Sequence, residues 1–168
     1  MDKNIVLIGM MGSGKTTVGK LLAQRLHLPF VDTDALIEER EGRSIPDIFA
    51  QDGESVFRAL ELELSQELSG KSGLIVACGG GLPTQYEAIA ALKENGLVFW
   101  LDRDPGETYD RLNVAHRPLA RSGRSDFIRR YQGRAPIYQR WSDHIIRAGS
   151  PREAEALVAA VCLEVAEP

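Results

Sequence analysis

The residues best placed to do chemistry lie near the start of the chain, where Gly9 to Thr16 read GMMGSGKT: glycine, four residues, glycine, lysine and a hydroxyl residue. Glycines at 9, 12 and 14 permit positive φ and close approach, so successive backbone N–H groups can turn into one concavity that accepts phosphate oxygens. Lys15 adds a point charge for β and γ phosphates, and Thr16 a hydroxyl for Mg²⁺. Gly12, Ser13, Gly14, Lys15, Thr16 and Thr17 are therefore the expected nucleotide-phosphate site. A second signal is the pair Asp32 and Asp34, which follows the apolar Phe30 and Val31 at the strand end where open α/β sheets bind ligands. Asp32 suits the Mg²⁺ shell and Asp34 a hydroxyl on a phosphoryl acceptor. The structural alternative makes Asp34 simply the N-cap of the helix through Ala35, Leu36 and Ile37.

Arg58 lies beside the apolar face formed by Phe57, Leu60, Leu64 and Leu68, with Glu61 one turn on, so it either serves a ligand or forms a structural helical pair. Periodicity alone makes Phe49 and Phe57 core residues. Gly79, Gly80 and Gly81 leave room for a ligand against bare backbone, where a structural turn needs only one or two glycines. From Arg111 to Arg152 there are ten arginines, no lysine and only two acidic residues, Asp126 and Asp143. That composition suits forked recognition of phosphates and carboxylates, although a solvated helical face accounts for several members.

The elements that must position these groups alternate between strand and helix. Ile5 to Ile8 is a buried strand before the glycine loop, and Val18, Leu21, Leu22 and Leu26 mark the helix after it. Ser44, with Pro46 and Asp47, opens a short helix that Gly53 separates from the longer one carrying Arg58. Leu74 to Cys78, Leu97 to Leu101 and His144 to Arg147 are further strands, and Phe30 with Val31 makes five. Residues 113–125 lose periodicity and read as a mobile cationic lid, helical spacing resumes at Phe127, and Pro136 should kink or restart that helix. Strands alternating with helices imply an α/β fold with a parallel sheet covered on both faces.

Length and composition bound the rest. A chain of 168 residues predicts a single domain, 1–168, and nothing approaches the ~20 apolar residues of a membrane span. The expected compartment is the cytoplasm, with no membrane partner. A net charge of −4 argues against a nucleic-acid partner, despite the arginine-rich segment. Cys78 and Cys162 predict neither a disulfide framework nor a metal site, and His27, His116 and His144 fall at no metal-ligand spacing. A guanine-reading NKxD motif is absent, so a kinase for a small acceptor is the best fit to the phosphate loop, the acceptor-side carboxylate and the arginines that could close over a triphosphate.

The ordered set GMMGSGKT, DTD, IFAQDGESVFRALE, GGG, RPL and RAPIY resembles the shikimate kinases, within the nucleoside monophosphate kinase-like P-loop group. The resemblance implies a three-layer P-loop kinase sandwich with a five-stranded parallel sheet, helices on both faces and a mobile lid. It implies ATP as co-substrate, Mg²⁺ as cofactor, and phosphorylation of the 3-hydroxyl of shikimate on the route to chorismate and aromatic amino acids. A monomeric, stand-alone bacterial enzyme is expected. By the same resemblance Lys15, Asp34 and Arg117 are the catalytic residues, with Arg117 stabilising charge in the transition state. Thr16 and Asp32 would hold the metal. Arg58 and Arg134 would clamp the shikimate carboxylate, Gly79, Gly80 and Gly81 would bring N–H groups to the substrate, and Phe49 with Phe57 would line its pocket, on helices spanning about 33–62. Arg111, Arg117 and Arg152 would meet the nucleotide, Arg152 by stacking on adenine. The competing readings are another small-acceptor kinase, such as a gluconate kinase, and a non-catalytic nucleotide-binding regulatory protein.

Overall fold

The computed structural model describes residues 2–112 and 122–166. Five strands form one parallel sheet in the order β2-β3-β1-β4-β5, where β1 is Asn4–Ile8, β2 Phe30–Asp32, β3 Ile75–Ala77, β4 Gly96–Leu101 and β5 His144–Ile146. Period-two alternation divides each central strand between two cores. Val6, Ile8, Val76, Val98 and Trp100 pack on one face, and Ile5, Leu7, Ile75, Phe99 and Leu101 on the other. Because both faces are covered, the strands read as continuous apolar runs.

Helices α1 (Lys15–Leu26) and α8 (Pro151–Ala166) cover the second face through Val18, Leu22, Ala154, Val158 and Ala159. The first face is covered by α2 (Thr33–Glu41), α3 (Ile45–Asp52), α4 (Glu54–Ser69), α5 (Tyr86–Glu94) and α7 (Arg124–Trp141), while α6 (Pro105–Arg111) follows β4. This is the expected three-layer α/β sandwich. Ser44 caps α3 as its sequence suggests, accepting from the Asp47 N–H at 3.2 Å and donating to the Asp47 carboxylate at 2.7 Å.

Several boundaries differ from the sequence reading. β3 stops short of Leu74, whose N–H is taken instead by the side-chain oxygen of the buried Asn4 at 2.9 Å. α7 runs unbroken through Pro136 rather than restarting there; the missing N–H costs one ladder bond, and the buried Phe127 and Tyr138 on either side anchor the helix to the core. α7 also begins at Arg124, so Arg124 and Ser125, expected in the lid, are its first residues. The Arg124 guanidinium pairs with Asp110 at 3.0 Å, fastening that start to α6. Residues 113–121 of the expected lid, including Arg117, lie outside the described residues.

Candidate active site

The phosphate loop joins β1 to α1, and its three glycines take the conformations that their spacing requires: φ is 147° at Gly9, 79° at Gly12 and 95° at Gly14. Space is as restrictive as φ, since a Cβ on Gly9 would stand 2.7 Å from the Leu101 carbonyl oxygen and one on Gly12 2.6 Å from Leu112. Lys15 opens α1 and folds back over the loop, donating from Nζ to the carbonyls of Gly9 at 2.7 Å and Met10 at 2.8 Å. Its ammonium is thus held against two loop carbonyls, and the residue is buried.

Asp32 ends β2 and holds two neighbours at once. Its Oδ2 accepts from the Thr16 hydroxyl at 2.7 Å, and its Oδ1 accepts from the N–H groups of Asp34 at 3.1 Å and Ala35 at 3.2 Å. Asp32 is therefore the N-cap of α2, and the structural alternative that gave the cap to Asp34 is corrected. Released from capping, Asp34 turns its carboxylate toward Gly79. Burial, then the neighbouring Asp32 charge, pushes its pKa up against the pull of Lys15.

The three consecutive glycines after β3 face three of the expected site residues in turn. A methyl group on Gly79 would strike the Asp34 carboxylate, one on Gly80 would meet the Arg134 guanidinium at 3.3 Å, and one on Gly81 would lie 2.6 Å from the Arg58 guanidinium. A hydroxyl-seeking carboxylate and two anion-seeking guanidinium groups thus converge over bare backbone, although their residues are far apart in sequence. The Gly79 N–H, expected to reach substrate, is already committed to the Thr33 hydroxyl at 2.9 Å. The N–H groups of Gly80 and Gly81 make no hydrogen bond among the described residues. Phe49 and Phe57 stand 5.1 Å apart between centroids, Phe57 buried and Phe49 partly open, beside the same helix.

Arg58 forms the structural helical pair and also faces the glycine run. Its Nη1 meets Glu61 Oε1 at 2.5 Å while the guanidinium faces Gly81. Glu61, which sequence reading treated only as a partner, is 1% exposed and also accepts from Gln85 Nε2 at 2.9 Å; its second oxygen has no partner among the described residues. The i, i+3 spacing from Arg58 was the only signal for it. Burial raises its pKa from 4.5 to about 7 despite Arg58. A carboxyl raised on folding binds extra protons in the native state between those values, so its contribution is greatest below about pH 4.5 and declines as pH rises through about 7. Glu61→Gln should remove that decline, worth on the order of 3 kcal/mol. Thermal unfolding from about pH 5 to about pH 8 should then show the variant losing less stability than the parent, whereas parallel profiles would reject the assignment.

A model of the shikimate kinase family matches residues 11–166. A shikimate kinase of Sulfurihydrogenibium is 45% identical over 138 residues, covering 82% of this chain and 83% of its own. The chain belongs to the shikimate kinase family. Among solved structures, a shikimate kinase of Acinetobacter baumannii in complex with shikimate superposes with a TM-score of 0.91 at 32% identity, covering 99% of this chain and 96% of that one. The shikimate kinase of Aquifex aeolicus gives 0.82 at 33% identity, with 98% of each chain covered. The activity is accordingly that of a shikimate kinase, an ATP-dependent phosphotransferase of the shikimate pathway.

Within this shikimate kinase fold a cavity of about 510 Å³ opens between α6 and the turn after β5, lined by Arg103, Glu107, Arg111, Tyr131, Arg147 and Gly149 among others. Arg103 joins it to the phosphate loop, donating from Nε to the Ser13 carbonyl at 3.3 Å and from Nη1 to the Ala148 carbonyl. No sequence signal singled out Arg103, because its partners come from two other loops. Of the arginines expected at the nucleotide, Arg111 lines the cavity; Arg152 is exposed in the first turn of α8 and is not in its lining. Among the described residues there is no cluster of three or more histidine, cysteine or acidic ligands, and no helix is long and apolar enough to cross a membrane.

Proposed function

We propose that this chain transfers the γ-phosphoryl group of Mg·ATP to the 3-hydroxyl of shikimate with Lys15, Asp34 and Arg117 as its catalytic residues. The observation that carries the acceptor assignment is the run Gly79 to Gly81, whose faces meet Asp34, Arg134 and Arg58 in turn. An acceptor bearing a hydroxyl at one end and a carboxylate at the other matches that order of charges. The shikimate bound to the Acinetobacter relative is such a molecule.

Asp34, with its pKa pushed up by burial, accepts the hydroxyl proton as the oxygen attacks the γ phosphorus. The bond from the γ phosphorus to the β–γ bridging oxygen breaks, and ADP leaves. Lys15 and the loop N–H groups hold the phosphates in line, and Arg117 neutralises charge on the transferring group. Arg58, held by Glu61, and Arg134 grip the carboxylate, with the Gly80 and Gly81 N–H groups beneath it. Phe49 and Phe57 line the ring's side of the pocket, and the cavity at Arg111 receives the nucleotide base.

The donor set at Thr16 and Asp32 fits Mg²⁺: two hard oxygens 2.7 Å apart can share an ion that keeps water and phosphate for its remaining positions. Bound there, Mg²⁺ supplies charge neutralisation at the β and γ phosphates. The reading places this activity in a cytoplasmic monomer.

ADP release with Mg·ATP, compared for shikimate, gluconate, AMP and no acceptor, tests the reading. Turnover with shikimate alone, lost on chelating the metal, is expected; turnover with gluconate or AMP instead would overturn the acceptor pocket. Arg58→Lys should raise the KM for shikimate ~10–100-fold and that for ATP by less than about threefold, since a point charge cannot reproduce a forked contact. Equal losses for both ligands would return Arg58 to a purely structural role.

A further inference from the structure

Tyr138 belongs to the RAPIY motif, yet the chemistry above gives it no task. Its side chain is wholly enclosed on α7, one turn beyond Arg134, with its ring 5.8 Å from that of Trp100. The hydroxyl donates to the Gly80 carbonyl at 2.6 Å and lies 3.7 Å from the Met10 sulfur in the phosphate loop. Burial pushes its pKa up to about 12 against the opposing charge of Arg134 beside it, so it remains a donor at neutral pH.

The Gly80 carbonyl shares a planar trans peptide with the Gly81 N–H, and the two point in opposite directions. Holding the carbonyl therefore aims the N–H. The preceding peptide is set differently, because the Gly79 carbonyl accepts from the Leu82 N–H at 3.0 Å within the turn itself. Successive glycines have little conformational preference of their own, so the Gly80–Gly81 peptide depends on a contact from another element. Among the described residues that contact is Tyr138.

We propose that Tyr138 is a positioning residue for the acceptor carboxylate: its hydroxyl orients the Gly81 N–H and, by standing against Arg134, the guanidinium that grips the same anion. The inference rests on the reading of Arg134 and Gly81 as carboxylate ligands. It distinguishes the carboxylate end of the acceptor from the hydroxyl end, which Asp34 serves, and from the nucleotide.

Tyr138→Phe keeps the ring and removes the donor. The KM for shikimate should rise about tenfold, with kcat and the KM for ATP within about twofold of the parent. Affinity for methyl shikimate, which lacks the carboxylate charge, should change by less than about twofold. Placing 4-aminophenylalanine at 138 restores a weaker donor, and the shikimate KM should fall between those of the parent and the phenylalanine variant. If Tyr138→Phe fails to fold, the 4-aminophenylalanine protein compared with the parent carries the same test. An unchanged shikimate KM, or equal losses for shikimate, its ester and ATP, overturns the proposal. Arg134→Lys separates the two levels: loss of shikimate there without loss in the Tyr138 variants rejects the positioning role alone, whereas no loss at Arg134 rejects the carboxylate site and with it the role of Tyr138.

Discussion

Lys15→Met should lower kcat/KM for ATP by ~10³-fold or more while the protein remains folded. The ammonium is buried in the loop and held by two backbone carbonyls, so it is already in place before any nucleotide arrives. Methionine fills the same volume but supplies neither charge nor donor, and the phosphates lose a preorganised contact that water cannot replace. The Gly9 and Met10 carbonyls lose their partner as well, which should cost about 1–3 kcal/mol of stability without nucleotide. Steady-state kinetics and thermal unfolding measure the two effects separately. Near-normal turnover would remove Lys15 from the phosphate site, and unchanged stability would mean that its bonds to the loop carbonyls contribute nothing.

Asp34→Asn should reduce kcat by ~10²–10⁴-fold, with shikimate affinity changed by no more than about threefold. Asparagine keeps the shape and can still hydrogen-bond the acceptor hydroxyl, but it cannot take its proton. Because burial and Asp32 disfavour the charge on Asp34, the neutral variant should be at least as stable as the parent. Calorimetric titration with shikimate beside single-turnover kinetics provides the measurement. Loss of binding with kcat per bound substrate preserved would make Asp34 an anchor rather than a base.

Several features of this site were legible because their signals are local. Glycine at 9, 12 and 14 permitted positive φ, and the backbone adopts it at all three. Ser44, Pro46 and Asp47 declared the start of α3, and the apolar runs declared all five strands. That Asp32 rather than Asp34 caps α2 was not legible: the two lie two residues apart where the helix starts, and either could cap it. The Thr16 hydroxyl, brought across from α1, engages Asp32, which also caps α2 and leaves Asp34 turned inward. The Gly79 N–H was likewise misassigned because its acceptor, Thr33, comes from another strand's end. Arg103 escaped notice, and the bond from Tyr138 to Gly80 was not legible, since each donates to carbonyls remote in sequence and a carbonyl leaves no mark in the residue letters.

By itself the sequence determined the phosphate loop, the alternation of strand and helix, and the supply of carboxylates and forked cations at the strand ends. These follow from backbone sterics and from hydrophobic periodicity, both of which act over a few residues. Only the tertiary structure decided which groups meet: Asp34, Arg134 and Arg58 over successive glycines, Glu61 buried behind Arg58, and Tyr138 holding the glycine loop from a distant helix. Those outcomes depend on parallel strands bringing their carboxyl ends to one edge of the sheet, and on burial, which gives a charge or a carbonyl its partner only after the layers have closed.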